Sequence, residues 1–262
     1  MAELTLTLNQ WERYRNILRK LSDKAAEEFR DAVWNVNGYF HGAGLGGIPR
    51  NQLIDYAYAL VQKYGEGSAA AACEAYDAIA ELSGVAVSAA VPADIADYSE
   101  VAKAVNGVIK YTQNEETVSG AVARLVKLAG QDTTLNNAIR DGAEWAWIPS
   151  GDTCAFCITL ASRGWQRASK KALKNGHAEH IHANCDCAYC VRFNNGTTVE
   201  GYDPDRYRKM YDEGSGNSVS KINAMRRRFY DENKERINAQ KRSAYAKRKE
   251  RESSAAEEAD IN

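Results

Sequence analysis

Apolar residues recur every three or four positions along residues 8–34, where Trp11, Tyr14, Leu18, Leu21, Ala25, Phe29 and Val33 form one stripe in "LNQWERYRNILRKLSDKAAEEFRDAVW". That period predicts a helix with one buried face, capped near Thr7 or Asn9. The glycine-rich "GAGLGGIPR" interrupts the pattern, and a helix from Asn51 to about Tyr64 and an alanine-rich one around "SAAAACEAYDAIAEL" are predicted after it. Beyond Pro92, "ADIADYSEVAKAVNGVIKYTQ" again reads helical. So does "TVSGAVARLVKLAG", with Val118, Ala121, Val122, Leu125 and Leu128 on one side. "DTTLNNAIRDGAEW" reads as a further helix capped by Asp132 or Thr133. Alternation with period two is scarce throughout, so residues 1–146 are expected to form a helical bundle.

The texture changes at "WAWIPSGDTCAFC", where Trp145, Trp147 and Pro149 end the helical period. Residues 147–198 are short, polar and punctuated by cysteine, with "CAYCVRF" a candidate strand, and they read as a small α+β module. Residues 199–262 return to a polar, arginine-rich helical tail with a small, acidic end. Its apolar positions Ile222, Met225, Phe229 and Ile237 are too sparse for a core face, so the tail is expected to pack on a partner or project into solvent. The fold expected is therefore mainly α: a helical bundle, a cysteine-bearing module and a charged helical tail.

Charge sharpens this division. The formal net charge of −1 conceals a segment, Ser218 to Arg251, with twelve Lys and Arg against four acids. A basic tail on an acidic body points to an anionic partner, with a solvated charged helix as the plainer reading. The weakly polar stretch "GVAVSAAVPADIA" at 84–96 is too short to cross a bilayer and carries Pro92 and Asp94, so no membrane association is expected. "MAELTLTLNQWERYRN" has no basic patch followed by an apolar run, which places the cysteines in a reducing compartment.

There, clustered thiols point to metal or catalysis rather than to disulfides. Of six cysteines and four histidines, five cysteines and three histidines lie between residues 154 and 190. Cys154 and Cys157 form a CxxC, and "HIHANCDCAYC" supplies His182, Cys185 and Cys187. Two close pairs from separate segments suit a tetrahedral zinc ion, because each short loop folds its own pair onto the metal. The best candidates are Cys154, Cys157 and Cys185, with His182 or Cys187 completing the shell; Cys190, His180 and His177 read as bystanders. Cys185 and Cys187 can share one ion only if the loop between them turns sharply. Structural zinc contributes on the order of 10–16 kcal/mol in small zinc-finger peptides, which a module so poor in apolar residues requires. Cys73, inside the alanine-rich helix, reads as a small buried hydrophobe.

Catalytic alternatives fit less well. "HAE" at 177–179 and "CAYC" at 187–190 loosely imitate the zinc deaminase signature, but Asp186 stands in place of the proline and nine residues are too few for the intervening strand and helix turn. No HExxH occurs. "GAGLGG" satisfies GxGxxG without a strand to complete a βαβ unit, so an interhelical hinge is the better reading. The chain is therefore expected not to be an enzyme. A zinc-dependent nucleic-acid-binding protein is the first alternative, and a zinc hydrolase or deaminase the second.

The segments "PSGDTCAFCITLASRGW" and "HIHANCDCAYCVRF" resemble the Mu F-like minor head, or head-morphogenesis, proteins of tailed bacteriophages, over roughly Trp145 to Phe193. Carried over by position, the resemblance covers Cys154, Cys157, His182, Cys185 and Cys187, and leaves Cys190 without a counterpart. It implies a low-copy protein that associates with the portal and with capsid or scaffold proteins during assembly, DNA packaging or delivery. Such a protein resides in the host cytoplasm and then in the virion head. The tail at 218–251 would add non-specific DNA contact. Some related proteins are labelled capsid maturation proteases; no Ser-His-Asp arrangement of recognisable spacing supports that label here.

Overall fold

A computed structural model describes residues 4–37, 45, 48–111, 115–150, 153–169 and 187–261. The chain is mainly helical, with two small sheets. Helix α1 (Leu8–Asn37) begins with a capping box: Thr7 Oγ1 accepts from Gln10 N at 3.3 Å while Gln10 Oε1 accepts from Thr7 N at 3.0 Å. Its predicted stripe is buried from Trp11 to Val33, except that Leu21 is half-buried and Ser22 takes the interior place beside it.

Where two helices were expected, α2 runs unbroken from Arg50 to Leu82. Gly65 and Gly67 are absorbed rather than breaking the helix, and at Gly65 a side chain would not fit: a Cβ there would lie 2.9 Å from Ile95 Cγ2. Likewise α4 (Glu115–Asp141) is one helix, not two. It lies at the centre of the bundle, packed against α1, α2 and α3 (Tyr98–Ile109) and buried on nearly all sides, which explains its weak amphipathic pattern.

The polar run that suggested a helix cap is instead an interior polar strip. Thr133 and Thr134 return their hydroxyls to the carbonyls of Ala129 and Gly130, at 2.7 and 3.1 Å. Gly130 has no room for a side chain, since a Cβ there would meet Leu18 Cδ2 and Ser68 Oγ, each at 2.8 Å.

Residues 85–97 correct the sequence reading again. Helix was expected directly after Pro92, yet the chain forms neither helix nor strand up to Asp97, whose carboxylate caps α3 in a capping box with Glu100. Side chains of α2 and α4 take the place of a neighbouring strand. Asp77 accepts from Ala90 N at 2.8 Å, and Asn137 both accepts from Val91 N and donates to Val91 O, at 2.9 and 2.8 Å. Thr133 accepts from Ala93 N, Gln62 donates to Ala96 O, and Arg140 donates to the carbonyls of Ser88 and Ala89. Each backbone group held this way is one that a helix would have satisfied internally.

Strand β1 (Leu4–Leu6) pairs in parallel with β5 (Thr197–Val199). Strand β2 (Glu144–Ile148) sits between β3 (Gln166–Arg167) and β4 (Ala188–Arg192), antiparallel to both, so "CAYCVRF" does contain a strand, and the region up to residue 146 is not wholly helical. Trp145, Ala146, Trp147 and Ile148 are at most 4% exposed, and Ala188 to Val191 at most 1%. Alternate residues face opposite ways in a strand, so protein covers both faces of this sheet. The core that buries it is continuous from Trp11 and Tyr14 of α1, through Tyr76 of α2 and Leu135 of α4, to the sheet.

Helix α5 (Ala155–Ala161) packs on β2, and α6 (Pro204–Asp212) and the first turns of α7 (Ser218–Ile261) pack on α5. Met225 is buried and Ile222 half-buried among Ala155, Ile158 and Tyr207, so the start of the tail is anchored despite its sparse apolar positions. "GAGLGG" lies largely outside the described residues. Among the described residues no helix is long and apolar enough to cross a membrane.

Candidate metal centre

Cys154 sits at the N-cap of α5, its backbone extended, and its Sγ accepts from Cys157 N at 3.5 Å. Cys157 follows on the first helical turn, 1% exposed. The CxxC is thus a tight turn that places both sulfurs at one helix end, with a backbone N–H directed at the first. A thiolate is a better acceptor for that N–H than a thiol, and thiolates are what bind zinc.

The second segment reaches the same region through the sheet. Ile148 pairs with Ala188, so the loop leaving β2 toward Cys154 and the chain entering β4 through Cys187 meet at one end of the strand pair. Cys154, Cys157 and Cys187 share one hydrophobic cluster, and no disulfide joins the described cysteines. Burial raises the phenols of Tyr189 and Tyr207, with smaller contributions from Asp132 and Cys157 at the first and from Cys187 at the second. His182 and Cys185, like His177 and His180, lie outside the described residues. Among the described residues no group of three or more His, Cys, Asp or Glu is placed to hold a metal.

Cys190 behaves otherwise. By strand alternation it lies on the opposite face of β4 from Cys187, fully buried, donating its S–H to Val191 O at 3.7 Å, and burial pushes its thiol well up from the ordinary range. It is a protonated core thiol. Cys73 in α2 is half-buried, and burial raises its thiol too.

Three side chains that periodicity does not single out shape this site. Gln131 of α4, 1% exposed, faces the outer edge of β4: its Oε1 accepts from Tyr189 N at 3.0 Å and its Nε2 donates to Cys187 O at 3.5 Å. One amide thereby imitates a neighbouring strand and fixes the backbone that carries Cys187. In the sequence Gln131 borders only the polar run that reads as a helix cap. The other two, Trp147 and Tyr189, are directly paired across the strands, their rings 4.7 Å apart and steeply tilted. Trp147 Nε1 and Tyr189 Oη are buried with no hydrogen-bond partner among the described residues. Both side chains share the face of Cys187. Buried donors are costly without an acceptor, and a thiolate is one, so the chemistry of these side chains is compatible with a charged sulfur at Cys187.

Arg192 closes the sheet on the far side, its guanidinium 2.6 Å from Glu144 and stacked 4.8 Å over the Trp165 ring.

Taken together, this is a mainly helical protein whose bundle supports a cysteine-bearing sheet. The profile of the VG15 protein family matches residues 5–214, about four fifths of the chain, and the chain belongs to that family of phage proteins. The match runs across the bundle, the sheet and α6, and ends before α7. No curated protein and no solved structure matches the chain.

Proposed function

We propose that this VG15 protein is a non-enzymatic minor component of a tailed-phage head, folded around a structural zinc ion and associating with portal and capsid or scaffold proteins during assembly. The observation that carries the reading is the cysteine turn at Cys154 and Cys157, set against Cys187 within a phage-family chain and in the order of the Mu F-like segment. Cys154, Cys157 and Cys185 supply three ligands, and His182 or Cys187 completes the shell. In this role the metal needs no open coordination position and no general base.

The test is mass spectrometry of purified empty and DNA-filled heads from the encoding phage. The proposal expects the chain in both, at a few copies per portal. Its presence only in the soluble fraction of infected cells would contradict the proposal.

A further inference from the structure

Helix α7 leaves the body after its first turns, where Lys221 pairs with Asp212 at 2.7 Å, Arg228 pairs with Glu213 and Met225 is buried. At about 100° per residue, Arg226, Arg227, Tyr230, Lys234, Lys241 and Tyr245 fall within an arc of about 100°. All six are exposed, Tyr230 at 48% and Tyr245 at 63%. Asp231, Glu232 and Glu235 lie on the other sides of the helix, so the arc carries no acid from Arg226 to Tyr245. The pattern also separates the cations by role. Lys221 and Arg228 are spent on acids of α6 and its flank, whereas Arg226, Arg227, Lys234 and Lys241 have no ion-pair partner among the described residues.

The stripe spans on the order of 27 Å from Arg227 to Tyr245, at about 1.5 Å per residue. Arg and Lys neutralise phosphates, and tyrosine hydroxyls donate to phosphate oxygens. A single convex helix offers no pocket for a base, which favours a regular, evenly charged polyanion over a sequence-defined ligand. We propose that this face of α7 binds the phosphate backbone of double-stranded DNA without reading its sequence. The assignment rests on the tail alone and stands apart from the zinc reading.

The test uses the full chain and a fluorescein-labelled 30-base-pair duplex of arbitrary sequence, followed by anisotropy between 50 and 200 mM salt. Four phosphate contacts give a slope of log affinity against log salt of about −3.6, a loss on the order of 100-fold over that range. Lys234→Gln with Lys241→Gln reduces the slope by about 1.8 and weakens binding at least tenfold at 100 mM salt. Arg236→Gln with Arg242→Gln removes the same charge from outside the arc and changes affinity less than threefold. Equal loss in the two double variants would overturn the assignment of the face. Displacement of the duplex by poly-glutamate at equal charge concentration would reassign the face to an acidic protein surface and overturn the choice of partner.

Discussion

Replacing Gln131 by Met tests whether the bundle positions the cysteine strand. The two side chains are close in volume, so little cavity or overpacking contributes. What is lost is the partner of Tyr189 N, at 3.0 Å in a fully buried setting, and the longer contact to Cys187 O at 3.5 Å. An orphaned buried donor costs about 1–3 kcal/mol, and the 3.5 Å contact adds little, so the expected loss is about 2 kcal/mol. With a urea m-value of about 3 kcal/mol/M, the unfolding midpoint falls by about 0.7 M. Amide exchange at Tyr189 rises in parallel. Gln131→Glu keeps an acceptor for Tyr189 N but buries a carboxyl, whose pKa burial raises above its unfolded value. Its cost is accordingly larger at pH 8 than at pH 5. A Gln131→Met variant within about 0.5 kcal/mol of the parent, with unchanged exchange at Tyr189, would show that the amide does not hold the strand.

Two glycines in helices should respond oppositely to alanine. Gly107 of α3 has open space where a Cβ would go, so Gly107→Ala should stabilise by up to about 1 kcal/mol. Gly130→Ala drives a methyl against Leu18, Ser68 Oγ and the Ser68 carbonyl, and should destabilise by about 1–3 kcal/mol. Both are read from thermal or urea unfolding. Asp141, whose carboxylate accepts from Arg140 and from Tyr76 Oη at 2.7 and 2.8 Å, is held below the usual carboxylate range chiefly by the arginine. A lowered folded pKa contributes stability above the unfolded value, about 4, that disappears as pH falls through the folded value. Asp141→Asn should therefore flatten the loss of stability on acidification below about pH 4, and an unchanged acid limb would exclude this group as a source of it.

How much of this was legible in the chain depends on what each residue faces. The α1 stripe and its cap were readable because one face meets the core and the other meets water. Helix α4 was not, since burial on nearly all sides erases the period, and its interior Gln131, Thr133, Thr134 and Asn137 imitate a helix start. Gly65 looked like a break because the sequence does not show Ile95 pressed against it. The irregular course of 85–97 depends on side chains 13 to 52 positions away, from Asp77 to Arg140, which no local pattern carries. The cysteine spacing singled out Cys154 and Cys157, which lie at the start of one helix, and set Cys190 aside, while strand alternation, visible only once β4 is paired with β2, gives the physical reason that separates Cys187 from Cys190. Gln131, Trp147 and Tyr189 join the site purely through tertiary packing.

The measurement that bears most directly on the central claim is the zinc content of the full chain, purified under reducing conditions without chelator and read by inductively coupled plasma mass spectrometry. The account predicts about one zinc per chain, lost in Cys154→Ser, Cys157→Ser and Cys185→Ser and retained in Cys190→Ser, whose thiol is protonated in the core on the other face of β4. A parent protein free of metal, or one in which Cys190→Ser loses zinc while Cys154→Ser keeps it, would contradict the account.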